Sequence, residues 1–185
     1  MAHQFSTSYM QDSMGVFRYY KRLGERAMEQ CPDEGLFATL DGESNSIAII
    51  VKHMAGNMRS RWTDCLTTDG EKPDRNRDSE FEEAPTNRAD LIAMWERGWK
   101  SVFDAMEPLT DADLTRTIAI RTEPHSVMQA VNRQVAHYSY HVGQIVFLAK
   151  HFGAQATGGW NSLSVPRKKS AEFNADVAAG RRSQR

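Results

Sequence analysis

The sequence predicts an all-α fold, a four-helix bundle with one short extended segment before the last helix. Four long stretches repeat their apolar residues at helical spacing, each carries a single apolar stripe, and the breaks between them fall at proline, glycine or helix-capping residues. Helices with one stripe each bury it most simply by facing one another. At 185 residues the chain fits one domain, 1–185, with a frayed tail from about residue 175 onward.

The first helix is expected from about Ser8 to Gln30, where Tyr9, Val16, Tyr20, Leu23 and Ala27 recur with Met10, Met14 and Phe17 alongside. Cys31-Pro32 ends it, because the residue before a proline is pushed out of the helical region. A connection through Asp41-Gly42 leads to the second helix, about Asn45 to Leu66, with Ser44 or Asn45 as its cap. Ile47, Ile50, Val51, Met54, Met58 and Cys65 form its apolar face, and His53, Asn57, Ser60 and Asp64 form a polar seam beside it. Thr67 to Pro85 has no apolar periodicity and reads as a long, charged, solvated surface loop with Phe81 as an anchor. Loops of that length are uncommon unless they cover something.

The third helix, about Asn87 to Met106, is capped by Thr86 or Asn87 and carries Leu91, Trp95, Trp99, Val102 and Met106 on its buried side. Leu114 to Thr122 is β-branched and partly alternating, one extended segment that needs a partner in its own chain or across an oligomer interface. Glu123-Pro124 closes it, and His125 or Ser126 starts the last helix, which runs to Phe152 before a turn at Gly153. Trp160, Leu163 and Val165 are expected to pack back on the bundle.

A formal net charge of −1 argues against a nucleic-acid partner, since backbone binding needs a surplus of Lys and Arg on one face. Only the tail, with Arg167, Lys168, Lys169, Arg181, Arg182 and Arg185, is locally basic. The N-terminus has neither the basic nor the apolar region of a leader, and no window has the run of apolar residues that a membrane span needs. Two cysteines, Cys31 and Cys65, make no disulfide framework and show no Cys-His spacing, so the chain is read as cytoplasmic with reduced thiols and no cysteine nucleophile.

The chemistry concentrates in the last helix. His137 and His141 lie four residues apart, about 40° from each other on a helical wheel, at the margin of the arc formed by Val131, Tyr138, Val142, Ile145 and Ala149. Side chains there point into a bundle and are still reached from its open end. Metal sites in bundles are built from side chains on facing helices, and His53 is placed to join the pair.

Three histidines in this arrangement, one midway along the second helix and an HxxxH on the last, resemble the DinB/YfiT-like superfamily of metal-dependent bundle proteins. The segments NSIAIIVKHMAGNMRSRWTD, TTDGEKPDRNRDSEF, NRQVAHYSYHVGQIVFLAKHFG and SLSVPRKKSAEFN resemble an uncharacterised branch of it, over about Ser8 to Asn174. The resemblance implies an up-down-down-up bundle, a homodimer, and a divalent ion such as zinc or nickel held by His53, His137 and His141. It also implies a low-molecular-weight thiol as a second cofactor in some branches.

Three neutral imidazoles leave such an ion an open position, which marks a catalytic rather than a structural site. The reading that follows is a metal-dependent hydrolase or thiol transferase, with Asn57, Tyr140 and Gln144 as groups that orient ligands or touch substrate. The competing reading is a non-enzymatic metal- or ligand-binding dimer connected with stress. A deep cleft above the histidines would favour the enzyme. No carboxylate stands at a spacing diagnostic of a general base, and Asp64 lies too far along its helix from His53.

Overall fold

The computed structural model describes residues 7–182. The N-terminal residues 1–6, part of the segment read as leader-free, and Arg185 of the basic tail lie outside the described residues. Four long helices dominate: α1 (Tyr9–Glu29), α3 (Ile47–Trp62), α4 (Arg88–Met106) and α5 (Val127–Thr157). Two short helices, α2 (Asp33–Phe37) and α6 (Ser170–Ala178), a hairpin of β1 (Thr117–Ile120) with β2 (Glu123–Ser126), and 3-10 turns at Asp78–Phe81 and Asp111–Asp113 complete the described elements. Helix α1 packs on α5 and α4, and α3 packs on α4 and α5, so the four long helices close around one core.

Each of the four long helices starts where a side chain takes over an orphan backbone donor. The Ser8 side chain accepts from the Gln11 N–H and the Asn87 side chain from that of Asp90. Helix α3 is capped by Ser46, one or two residues later than Ser44 or Asn45; Ser44 instead accepts from Leu40 and Asp41 in the preceding turn. At the head of α5, Ser126 and Gln129 form a reciprocal capping box.

The core holds the expected stripes of α3, α4 and α5, with Ile47, Val51, Met54, Leu91, Trp99, Val102, Val131, Tyr138, Val142 and Ile145 all buried. On α1 the buried line runs through Met10, Met14, Phe17, Gly24 and Met28, while Tyr9, Tyr20 and Leu23 pack at its margin. Trp160 and Leu163 pack against the core from beyond α5.

Three sequence expectations need correction. Helix α5 does not turn at Gly153 but continues to Thr157 and ends at Gly158, whose φ of 70° is the left-handed cap that glycine accepts without strain. Gly153 is there for proximity: a Cβ on it would stand 2.5 Å from the Gln30 carbonyl oxygen of α1. The stretch expected to fray from residue 175 is helical as far as Ala178, the end of α6, and Arg181 pairs with Asp176 at 2.8 Å.

The third correction concerns the extended segment, which is half of a hairpin, so the fold is mainly rather than purely α-helical. Glu123 and Pro124 belong to the partner strand, in register with Ile120 and Ala119. Arg121 and Thr122 form the two-residue turn with φ of 55° and 66°, a conformation costly for non-glycine residues. The Asp69 carboxylate accepts from both of their backbone N–H groups, at 2.8 and 2.7 Å, and Gly70 donates to the Ala119 carbonyl at 2.7 Å. The loop between α3 and α4 thereby supports the turn.

Candidate metal centre

His53 stands midway along α3 and His137 and His141 stand one turn apart on α5, so the packing of α3 on α5 brings all three together. Nε2 of His137 lies 3.4 Å from Nε2 of His53 and 3.1 Å from Nε2 of His141. The rings are steeply inclined to one another, at 82° for His53 with His137 and 90° for His137 with His141, so edges rather than faces converge. His53 is buried and the other two are half-buried.

The outer ring nitrogens are tied back, which selects the tautomers. Nδ1–H of His53 donates to Glu80 Oε2 at 2.9 Å, and Nδ1–H of His141 donates to Gln144 Oε1 at 2.8 Å. Gln144 in turn donates from Nε2 to the Tyr140 hydroxyl at 3.2 Å. Both Nε2 atoms are then lone-pair donors facing Nε2 of His137. His137 differs: its Nδ1 is buried without a hydrogen-bond partner. Burial, then the neighbouring His141 and His53, push the His137 pKa down to about 3, and burial also lowers that of His141 against the pull of Gln144. The neutral imidazoles are the form that binds metal.

Glu80 comes from the loop between α3 and α4, from a 3-10 turn over Asp78–Phe81. The charge run there is only partly solvated, contrary to its reading from sequence, because the Arg75 and Glu80 side chains are 3% and 6% exposed. Arg75 donates to both Glu80 oxygens, at 2.8 and 2.9 Å. Burial opposes ionisation of Glu80, but the hydrogen bonds from His53 and Arg75 outweigh it and its pKa is lowered. Lys52 of α3 holds the turn through the Ser79 and Glu83 carbonyls. Phe81 lies against the His53 ring at 4.7 Å. Gly56 makes the space: a Cβ there would collide with Glu80 Oε1.

A cavity of about 300 Å³ opens beside His53 and His137. Asn57 lines it, and its Oδ1 accepts from the Tyr138 hydroxyl at 3.4 Å while that hydroxyl accepts from Trp62 Nε1 at 3.0 Å. Gln134 and five arginines complete the wall, with no Asp or Glu among the described lining residues. Ser60 of the polar seam instead anchors the loop, donating to the Gly70 carbonyl and accepting from the Lys72 N–H. Asp64 lies beyond the end of α3 and borders other cavities. His125 sits on β2 with Nδ1 3.0 Å from the Glu123 carbonyl, apart from the three histidines.

Residues 4–169 match the model of a family described as a protein of unknown function, DUF1572. The chain belongs to the DUF1572 family. Comparison with curated proteins and with solved structures gave no match. The DUF1572 match spans His53, Glu80, His137 and His141 alike, so the elements that assemble the site all lie within the family's extent.

The donor set suits a divalent ion. A tetrahedral centre with Zn–N bonds of about 2.0–2.1 Å separates its nitrogens by about 3.3 Å; the two shorter Nε2 separations are 3.4 and 3.1 Å, and all three candidate donors lie within 4.8 Å of one another. Sequence reasoning missed Glu80, Arg75 and Gly56, since no spacing links a loop carboxylate to a helix histidine. The one usable signal was that an unusually long loop ought to cover something.

Proposed function

We propose that this DUF1572 protein is a divalent-metal-dependent enzyme related to the DinB/YfiT-like bundles, with His53, His137 and His141 as the ligands of zinc or nickel. The observation that carries this reading is the convergence of the three Nε2 atoms with two of the outer nitrogens tied back by Glu80 and Gln144. A divalent ion on three imidazoles supplies a Lewis acid with an open coordination position. Glu80 sets the tautomer of His53, Gln144 that of His141, and Tyr140 reaches the latter through Gln144. The up-down-down-up order of the four long helices belongs to the same proposal.

The cavity beside the histidines favours the enzyme over a metal-storing or sensing protein, because storage needs no substrate volume. Between the two chemistries, transfer of a low-molecular-weight thiol is favoured over hydrolysis. Water on such an ion ionises at about pH 7, but hydrolysis also needs a group that carries protons to the leaving atom, and the carboxylate nearest the site, Glu80, is already engaged by His53 and Arg75. A thiol ionises at about pH 8.5 even in free solution, and its thiolate is itself the nucleophile, so its transfer does not depend on a carboxylate base. A second copy of the chain is the proposed partner: Tyr140 and Phe147, 63% and 62% exposed, stand two turns apart on the outer face of α5. Sedimentation as a monomer at micromolar concentration would remove that part.

The decisive experiment is the metal content of untagged protein, by elemental mass spectrometry, beside the double variant His137→Ala/His141→Ala. Near-stoichiometric divalent metal in the wild type and its loss in the variant are expected, and would justify screening thiol-transfer and then hydrolysis substrates. No metal in either, after reconstitution attempts with zinc and nickel, overturns the reading.

A further inference from the structure

The wall of the cavity beside the histidines is cationic to a degree that the histidines do not require. Five of its nine lining residues are arginines, Arg61, Arg75, Arg77, Arg121 and Arg133, drawn from α3, the covering loop, the hairpin turn and α5. Four separate segments thus direct guanidinium groups to one cavity. Two carboxylates, one buried and one half-buried, partly offset them. Glu80 is bound by Arg75, and Glu71 is shared by Arg61, Arg75 and Arg121 at 3.1, 3.4 and 2.9 Å. Asp78 approaches Arg77 only to 4.0 Å and is 91% exposed, where an ion pair contributes little. Arg133 has no ion-pair partner among the described residues.

Like charges gathered at one cavity repel, and an arginine surplus of this kind persists where an anion is to be received. One unpartnered polar atom points the same way: Arg61 is 5% exposed yet its Nε–H donor has no partner. Gln134, 2% exposed and also lining the cavity, has an unpartnered Oε1, an acceptor that calls for a donor hydrogen of the ligand or of water rather than for the oxyanion itself. Leaving such groups buried and unpaired is costly unless a ligand or water completes them. The guanidinium fork matches the oxygens of a carboxylate or phosphate.

We propose that this cavity binds a substrate through an oxyanion, a carboxylate or phosphate on a small molecule, with Arg133 and Arg77 as its outer contacts and Arg61 behind them. The inference deepens the metalloenzyme reading by naming its substrate class, and it rests on that reading only for the statement that the ligand is a substrate. Arg75 and Arg121 serve mainly to hold Glu80 and Glu71, while the exposed side of Arg121 adds to the field at the mouth.

The test is isothermal titration calorimetry of the full chain at low salt with inorganic phosphate in one arm and succinate in the other. Each is run on chelator-treated and on zinc-reconstituted protein freed of excess zinc. Saturable one-to-one binding of at least one anion is expected, and the arm that binds tells phosphate from carboxylate. The pair Arg77→Gln/Arg133→Gln should weaken it by about tenfold or more, with helix content and zinc stoichiometry unchanged, because neither side chain bonds a histidine or belongs to the core and Arg77 meets His53 only through the Phe81 ring. Absence of saturable binding in every arm overturns the proposal, as does binding that the double variant leaves unchanged. Failure of both zinc and nickel to load beside arginine-dependent anion binding removes the metal reading and keeps this one. Zinc that loads without anion binding does the reverse.

Discussion

At the scale of single residues the site depends on groups that never meet the ligand directly. Glu80 is placed by four neighbours: Arg75 neutralises it, Lys52 fixes its turn, Gly56 leaves it room and His53 donates a hydrogen bond to it. The substitution Glu80→Gln keeps the shape but leaves a neutral acceptor facing Arg75 and His53. Apparent zinc affinity is expected to fall by about 10–100-fold, the usual effect of losing such a support, with His53, His137 and His141 still in place. Competition with a chromophoric chelator measures it, and an unchanged affinity would show that the Glu80 contact does not tune the site. None of this was visible in the chain as written. The HxxxH of His137 and His141 was, because a helix turns spacing into proximity, whereas Glu80 reaches His53 across a loop whose path only packing decides.

At the scale of elements, close helix approach is set by small residues at crossing points. Helices α3 and α4 meet at Gly98, where a Cβ would stand 2.9 Å from Cα of Ala55 and 3.0 Å from the Met58 sulfur. Since backbone cannot step aside as a side-chain tip does, Gly98→Ala is expected to destabilise the fold by about 1–3 kcal/mol despite the better helix propensity of alanine. Urea denaturation would read it, and a neutral or stabilising result would mean that the two helices are free to separate. Because Met54, Met58 and His53 share α3, zinc affinity should also weaken in this variant. The periodicities of α3, α4 and α5 were legible in sequence through their apolar stripes. The hairpin was half legible: Thr117–Ile120 has β-branched character, but Glu123–Ser126 contains a proline and three polar residues, and it is a strand because β1 lies beside it. Its turn carries no glycine and depends on Asp69, more than fifty positions away.

At the scale of the whole molecule, the half-buried imidazole of His137 couples stability to pH. His137 is neutral in the folded chain, with a pKa of about 3, against about 6.5 when unfolded. Between those values the unfolded state binds a proton that the folded state refuses, so stability present above pH 6.5 is lost as pH falls toward 3. For chelator-treated protein the urea midpoint should therefore drop between pH 7.5 and pH 5.5, and drop less in His137→Gln, which does not titrate. Glu80 and the other carboxylates with lowered pKa act in the same sense, but below about pH 4.5, outside that interval. Equal drops in both proteins would remove His137 as the source.

Taken alone, the sequence determined the four long helices, the faces they bury and the three histidines, all consequences of local periodicity and of residue types that the backbone cannot disguise. No helix among the described residues is long and apolar enough to cross a membrane, in keeping with the absence of any such window in the chain. Only the tertiary structure decided how the long charged loop folds inward, that its Glu80 and Arg75 support the histidines, that Asp69 holds the hairpin turn and that five arginines from four segments meet at one cavity. The division has a physical reason. A helix is specified by neighbours within one or two turns, whereas a buried ion network takes shape only when distant segments together exclude water, and charge in a sequence reads as solvated until packing shows otherwise.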